Sequence, residues 1–226
     1  MEMTLRWFGA DDPIPLKHIR QIPGVTGIVS SVCEIAAGDS WTASSVDRVA
    51  EYIDNAGLQW SVIESIPVHE HIKLGLPTRG RFIDAWCASL RQVARVGGAV
   101  VCYNFMPVFD WTRTNLAMLN ADGSTAPAYD DRLLQRVDLS RGTGELPGWG
   151  AVCAADELNA LLIKWRNVDG EKLWEDLEYF LARMVPVAAS LNVKLAIHPD
   201  DFTVARIRFA AHHRKRQRVA SFVVAG

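Results

Sequence analysis

The groups able to do chemistry in this chain sit just after short apolar runs. His69-Glu70-His71 follows WSVIESIPV (60–68), Asn104 and the segment MPVFDW (106–111) close AVVCYNF (99–105), and His198-Pro199-Asp200-Asp201 follows VKLAI (193–197). In extended backbone His69 and His71 project to one side and Glu70 to the other, and two imidazoles on one side can share a metal ion or an anionic substrate. HxH without further ligands is a weak signal, and a solvated loop with one structural histidine is the plainer account. The proline after His198 favours an extended residue there, with its ring aimed at the strand end. A lone histidine is nonetheless more often a hydrogen-bonded structural residue than a ligand. Asn104 can hydrogen-bond a sugar hydroxyl, and Trp111 can stack on the apolar face of a sugar, although core or lid packing explains an aromatic at least as well. Asp110 beside it is a candidate for proton transfer or for orienting a neighbour. Arg79 and Arg81 in the loop TRGR offer planar forks that suit a carboxylate, while surface arginines usually only solvate. A glycine-rich phosphate cradle and a nucleophile elbow are both missing, so nucleotide binding and serine hydrolysis have no support.

These groups need a scaffold that gathers strand ends, and the periodicity predicts one. Apolar runs alternate with helical patterns, the signature of parallel strands covered by helices. Strands are expected at 5–8, 27–32, 60–68, 99–105 and 193–197, and helices at 15–22, from Ser44 or Ser45 to a left-handed stop at Gly57, at 82–96 and at 171–190. Pro186 is expected to kink the last helix. Asp122-Gly123 marks a hairpin turn, and RGTGELPGWG (141–150) an irregular loop. Five strands with intervening helices follow the order of a right-handed parallel (β/α)8-type barrel, of which eight units make a whole; reactive residues then belong at the C-terminal rim.

The whole-chain totals agree with a globular α/β protein: 226 residues, 49% hydrophobic, 22% charged, formal net charge −2. That balance argues against nucleic acid as the main partner. No run approaches the ~20 apolar residues of a membrane span, and the N-terminus has no signal-peptide pattern, so a cytoplasmic location is expected. Cys33, Cys87, Cys102 and Cys153 lack the paired spacing of zinc sites and are expected to be reduced thiols. The charge is uneven: residues 202–226 hold six Lys and Arg and no acid. The expected organisation is therefore a partial barrel domain over 1–201 and a compositionally distinct basic tail over 202–226, shifted in frame or disordered.

Long segments of the chain, RWFG (6–9), DDPIPLKHIRQIPGVTGIV (11–29), AGLQWSVIESIPVHEHIKLG (56–75), VVCYNFMPVFDWTRTNLA (100–117) and LWEDLEYFLARMVPVAASLNVKLAIHPDD (173–201), resemble the D-mannonate dehydratase family. The resemblance implies a xylose-isomerase-like barrel and conversion of D-mannonate to 2-dehydro-3-deoxy-D-gluconate and water in hexuronate (glucuronate) breakdown, with Mn²⁺ or Fe²⁺ as cofactor. It implies His198 as a metal ligand; the family's remaining cysteine, histidine and aspartate ligands have no counterpart after Asp201. His69 and Asp110 are the catalytic candidates, and Asn104, Trp111 and Arg79 the substrate contacts. The chain as written is expected to be inactive, a catalytically dead fragment being the competing reading, with another metal-dependent sugar isomerase or epimerase as the third. The expected partner is a small sugar acid, with homo-oligomerisation left open.

Overall fold

A computed structural model describes residues 1–109, 113–134, 155–166 and 168–198. Along the chain run β1 (Met3–Arg6), α1 (Leu16–Ile19), β2 (Val25–Ser30), α2 (Ala43–Asn55), β3 (Gln59–Ile63), α3 (Glu70–Lys73), α4 (Arg79–Arg95) and β4 (Val100–Tyr103). They are followed by β5 (Asn115–Leu119), β6 (Thr125–Ala128), α5 (Asp131–Leu134), α6 (Ala155–Trp165), α7 (Gly170–Ser190) and β7 (Lys194–Ile197). The chain forms two compact units, one of Met1–Phe105 with the stretch from Glu175 to His198, the other of Met106–Trp174.

The first unit carries a five-stranded sheet in the order β1-β2-β3-β4-β7. Every pairing in it is parallel. Its outer face is dry: Ile28, Ile63 and Val101 are fully buried and Tyr103 nearly so. These meet the apolar stripes of the helices, with Trp86 of α4 and Tyr103 both edge-on to Phe180 of α7, centroids 5.4 and 5.8 Å apart. Each such side chain contributes roughly 1.5–3 kcal/mol on burial, which makes this layer the main source of stability. The sheet and its covering helices agree with the α/β architecture expected from sequence, with five parallel strands among the described residues.

Element boundaries differ from expectation for local reasons. Helix α2 starts earlier than Ser44, because the Thr42 hydroxyl accepts from the Ser45 amide and caps the first turn; Gly57 then takes the left-handed conformation, φ +69°. The third strand ends at Ile63 rather than continuing to Val68, and α3 follows, so the His69–His71 backbone turns instead of staying extended. Along α7, Leu177, Phe180, Met184 and Ala188 are buried, Trp174 is exposed and Asp176 takes a buried place. The helix runs through Pro186.

In the second unit β5 and β6 pair antiparallel across the expected turn, with Gly123 at φ +84°. Helix α6, with Asp156 and Glu157 in its first turn, was not anticipated, although Leu158, Leu162 and Trp165, all buried, stand at helical spacing. The loop 141–150, Cys153 and the basic stretch 202–226 lie outside the described residues. Among the described residues no helix is long and apolar enough to cross a membrane.

Candidate functional site

The face of the sheet opposite the helices carries its polar groups at the C-terminal strand ends. Residues paired across parallel strands project to the same side, so Cys102 shares its face with Ala196, its partner on β7. Two residues further along each strand come Asn104 and His198, and the His198 amide continues the ladder by donating to the Tyr103 carbonyl. Both stand at C-terminal strand ends, half-buried, on the inner face. The Oδ1 of Asn104 is buried and has no hydrogen-bond partner among the described residues. A buried acceptor left unmade costs about 1–3 kcal/mol, which marks the atom as waiting for a donor.

The other side of this face is held by an arginine that spacing alone did not single out. Arg6 ends β1 opposite Val29, and its side chain reaches over β2 to the end of β3. There Nη1 donates to the Glu64 carbonyl and lies 3.7 Å from the Glu64 carboxylate. Its guanidinium carbon is 4.9 Å from the Phe8 ring centre. Nε of Arg6 is buried with no partner among the described residues. Cys102 lies within reach of both charges: burial pushes its thiol up to about 11, with Glu64 raising it further and Arg6 opposing. Cys33, after β2, is raised chiefly by burial, again against the Arg6 charge. Both thiols are therefore protonated at neutral pH and are poor nucleophiles and metal ligands as they stand. The signal that could have found Arg6 is a cation at the C-terminal end of a strand.

The two histidines of the HxH segment lie side by side, brought together by a helix turn and not by extended backbone. His69 is the N-cap of α3: its Nδ1 accepts the His71 amide at 3.1 Å. The rings lie edge to face at 4.7 Å, and His69 stacks on Phe82 at 3.7 Å with an interplanar angle of 7°. Burial first, then the charge of His71, lowers the His69 pKa below its ordinary value. With Nδ1 engaged as acceptor, the neutral ring carries its proton on Nε2 and can present a donor there. His71 Nδ1 pairs with the Thr78 hydroxyl at 2.7 Å.

Arg79 is directed elsewhere. Its Nη1 bonds Asp176 Oδ1 at 2.7 Å and its guanidinium covers the Tyr179 ring at 3.5 Å, both on α7. To reach a ligand it would have to leave a buried carboxylate. Arg81 lies over Phe82, 5.3 Å from the ring centre. Asp110 and Trp111 lie outside the described residues. Among the described residues no three His, Cys, Asp or Glu side chains come together as a metal site, so His198 stands as one possible donor and does not make a site by itself. A cavity of about 580 Å³ opens at the other end of the sheet, between Gln59–Ser61, Ala99–Val100 and α2, away from the strand ends that carry Asn104 and His198.

Against known proteins, a family model described as D-mannonate dehydratase (UxuA) matches residues 1–214, which extends past Asp201, where the recognisable segments stop. The mannonate dehydratase of Streptococcus uberis is 47% identical over 201 residues, covering 89% of this chain and 58% of the relative. That of Streptococcus agalactiae serotype V is 46% identical with the same coverage. The crystal structure of mannonate dehydratase from Streptococcus suis serotype 2 superposes with a TM-score of 0.79 at 42% identity, over 89% of this chain and 54% of that one. The chain thus spans a little over half the length of the relatives it matches.

Proposed function

The chain belongs to the D-mannonate dehydratase family, and from that premise we propose that it serves the dehydration of D-mannonate to 2-dehydro-3-deoxy-D-gluconate and water, as the first part of a (β/α)8-type barrel. The observation that carries the reading on the structural side is the shared face of Asn104 and His198 at neighbouring strand ends, β4 and β7, on a parallel sheet whose other face is closed by helices. Sites of such sheets lie at that rim.

The reaction removes a proton from the carbon beside a carboxylate and a hydroxide from the next carbon. The first step builds charge on the carboxylate, and the second needs a proton for the departing oxygen. The family is metal-dependent; Mn²⁺ or Fe²⁺ is the proposed ion, and a divalent cation would supply the charge stabilisation. His198 is the proposed ligand, and the described residues, which gather no three metal-binding side chains, do not fit the ion by themselves. In this reading Asn104 Oδ1 accepts from a substrate hydroxyl, and His69, neutral and protonated at Nε2, is a hydrogen-bond donor to a substrate oxygen. Asp110 is the proposed proton-transfer group and Trp111 a stacking surface. Arg79 joins them only if it exchanges Asp176 for a ligand.

The test continues this chain with the remaining portion of the Streptococcus suis enzyme and follows formation of the 2-dehydro-3-deoxy acid with Mn²⁺ or Fe²⁺. Turnover of D-mannonate is expected, and His198→Ala should lower bound metal by on the order of tenfold or more. Turnover of aldoses without D-mannonate would replace the reading by a sugar isomerase or epimerase, and unchanged metal content in His198→Ala would remove that ligand. For the 226 residues alone no turnover is expected, since no three His, Cys, Asp or Glu side chains among the described residues come together to hold the ion.

A further inference from the structure

We propose that Arg6 is the group that receives the carboxylate of an anionic sugar acid, so that the polar inner face recognises a ligand with an acidic end and a hydroxylated chain. The inference rests on the sugar-acid reading above and assigns its charged end. Two polar atoms on this face are buried and lack partners among the described residues, and they are of opposite kind: Nε of Arg6 is a donor and Oδ1 of Asn104 an acceptor. A carboxylate supplies the acceptor that Nε lacks, and a sugar hydroxyl supplies the donor that Oδ1 lacks. An aldonate has both on one short chain; a neutral sugar or polyol has only the second.

The surroundings of Arg6 favour this role over a purely structural one. Its Nη1 is fixed by the Glu64 carbonyl, which orients the guanidinium plane through backbone rather than through a mobile side chain. The Glu64 carboxylate, at 3.7 Å, is beyond a good hydrogen bond and does not reach Nε. The ring of Phe8 flanks the group, and a guanidinium keeps its charge at every physiological pH. Arg79 is committed to Asp176 and Tyr179, and Arg81 lies over the Phe82 ring. Glu64 then has a defined effect: as a like charge beside the bound carboxylate it weakens binding, and it narrows the choice of anion to one that can hydrogen-bond Nε directly.

The chain itself can be tested by titrating it with D-mannonate and with neutral D-mannitol, following the Arg Nε–H resonances by NMR and the affinities by calorimetry. D-Mannonate should move one Arg Nε–H signal that is lost in Arg6→Lys, and D-mannitol should leave it in place. Arg6→Gln should weaken D-mannonate by about tenfold or more, the loss of a charge-assisted bond, with D-mannitol unchanged. Glu64→Gln, which keeps the backbone carbonyl, should tighten D-mannonate. Arg6→Lys, retaining charge without the fork, should fall between wild type and Arg6→Gln and guards against a merely misfolded variant. Equal binding of D-mannonate by wild type and Arg6→Gln, equal response to D-mannitol, or no binding of D-mannonate to the chain would overturn the assignment. Aldonate binding that depends on Arg6, in a chain whose extended form does not dehydrate D-mannonate, would sink the proposed reaction and leave Arg6 standing. Dehydration with an Arg6→Gln KM equal to wild type would do the reverse.

Discussion

At His69 three neighbours fix one ring: Phe82 stacks on it, the His71 amide occupies Nδ1, and Gly38 packs so closely that a Cβ there would lie 2.7 Å from His69 Cδ2. Gly38 also has φ +97°, a conformation that other residues adopt with strain. Burial and the nearby cations resist protonation, so the folded chain takes up a proton on His69 only below the ordinary 6.5. The unfolded chain binds that proton first as pH falls, and stability due to the neutral ring is full above 6.5 and is lost through the window below it. His69→Gln should therefore flatten the decline of Tm between about pH 7 and pH 5; a slope equal to wild type would show that another group sets it. Part of the candidate site was legible at this scale. Asn104 and His198 were readable because each directly follows an apolar strand, and a strand end in a parallel sheet has one chemical direction. Arg6 was not, because its donor geometry depends on Glu64, far away in sequence and brought near by two strand pairings. Arg79 looked available in a polar loop, and only the packing of α4 on α7 reveals its buried partner.

Helices were easier to locate than their ends. The 3.6-residue stripes of α2, α4 and α7 depend on many apolar positions, whereas a boundary depends on one or two side chains that choose between backbone partners. Thr42 outcompetes Ser44 and Ser45 as cap because its oxygen faces the Ser45 amide at 3.2 Å, while the Ser45 hydroxyl turns back to the Thr42 carbonyl. Thr42→Ala should cost about 1 kcal/mol, which in a domain of this size lowers Tm by roughly 2–4 °C, measured by thermal unfolding. Ser44→Ala should stay within about 0.5 kcal/mol; the opposite ranking would return the cap to Ser44. A side-chain cap also starts α3, where the His69 imidazole accepts the His71 amide. Asp176 broke the apolar stripe of α7 for a long-range reason, its ion pair with Arg79, which no local pattern contains.

For the whole molecule, the described sheet has two edges, β1 and β7, and two unlike faces. The helical side is sealed, but the inner side holds half-buried Val62, Val100 and Ala196, and Met3 on β1 is more than half exposed. A parallel sheet is normally covered on both faces, and an edge strand without a partner invites pairing with another chain. Neither edge carries the usual protection in full: β7 reads KLAI, with one lysine at its start, and β1 reads MTLR, with one arginine at its end. Prepared as its 226 residues alone, the polypeptide is therefore expected to associate through these strands. Sedimentation should give a mass above 25.1 kDa that rises with concentration. Ala196→Lys, which places a charge on the inner face of the β7 edge, should shift the distribution toward monomer, as charged edge residues do. The same substitution in the chain extended to the length of its relatives should destabilise it instead, because in a closed barrel that position faces the packed interior. A sharp 25.1 kDa species at all concentrations, indifferent to Ala196→Lys, would mean that both edges are already covered within the chain.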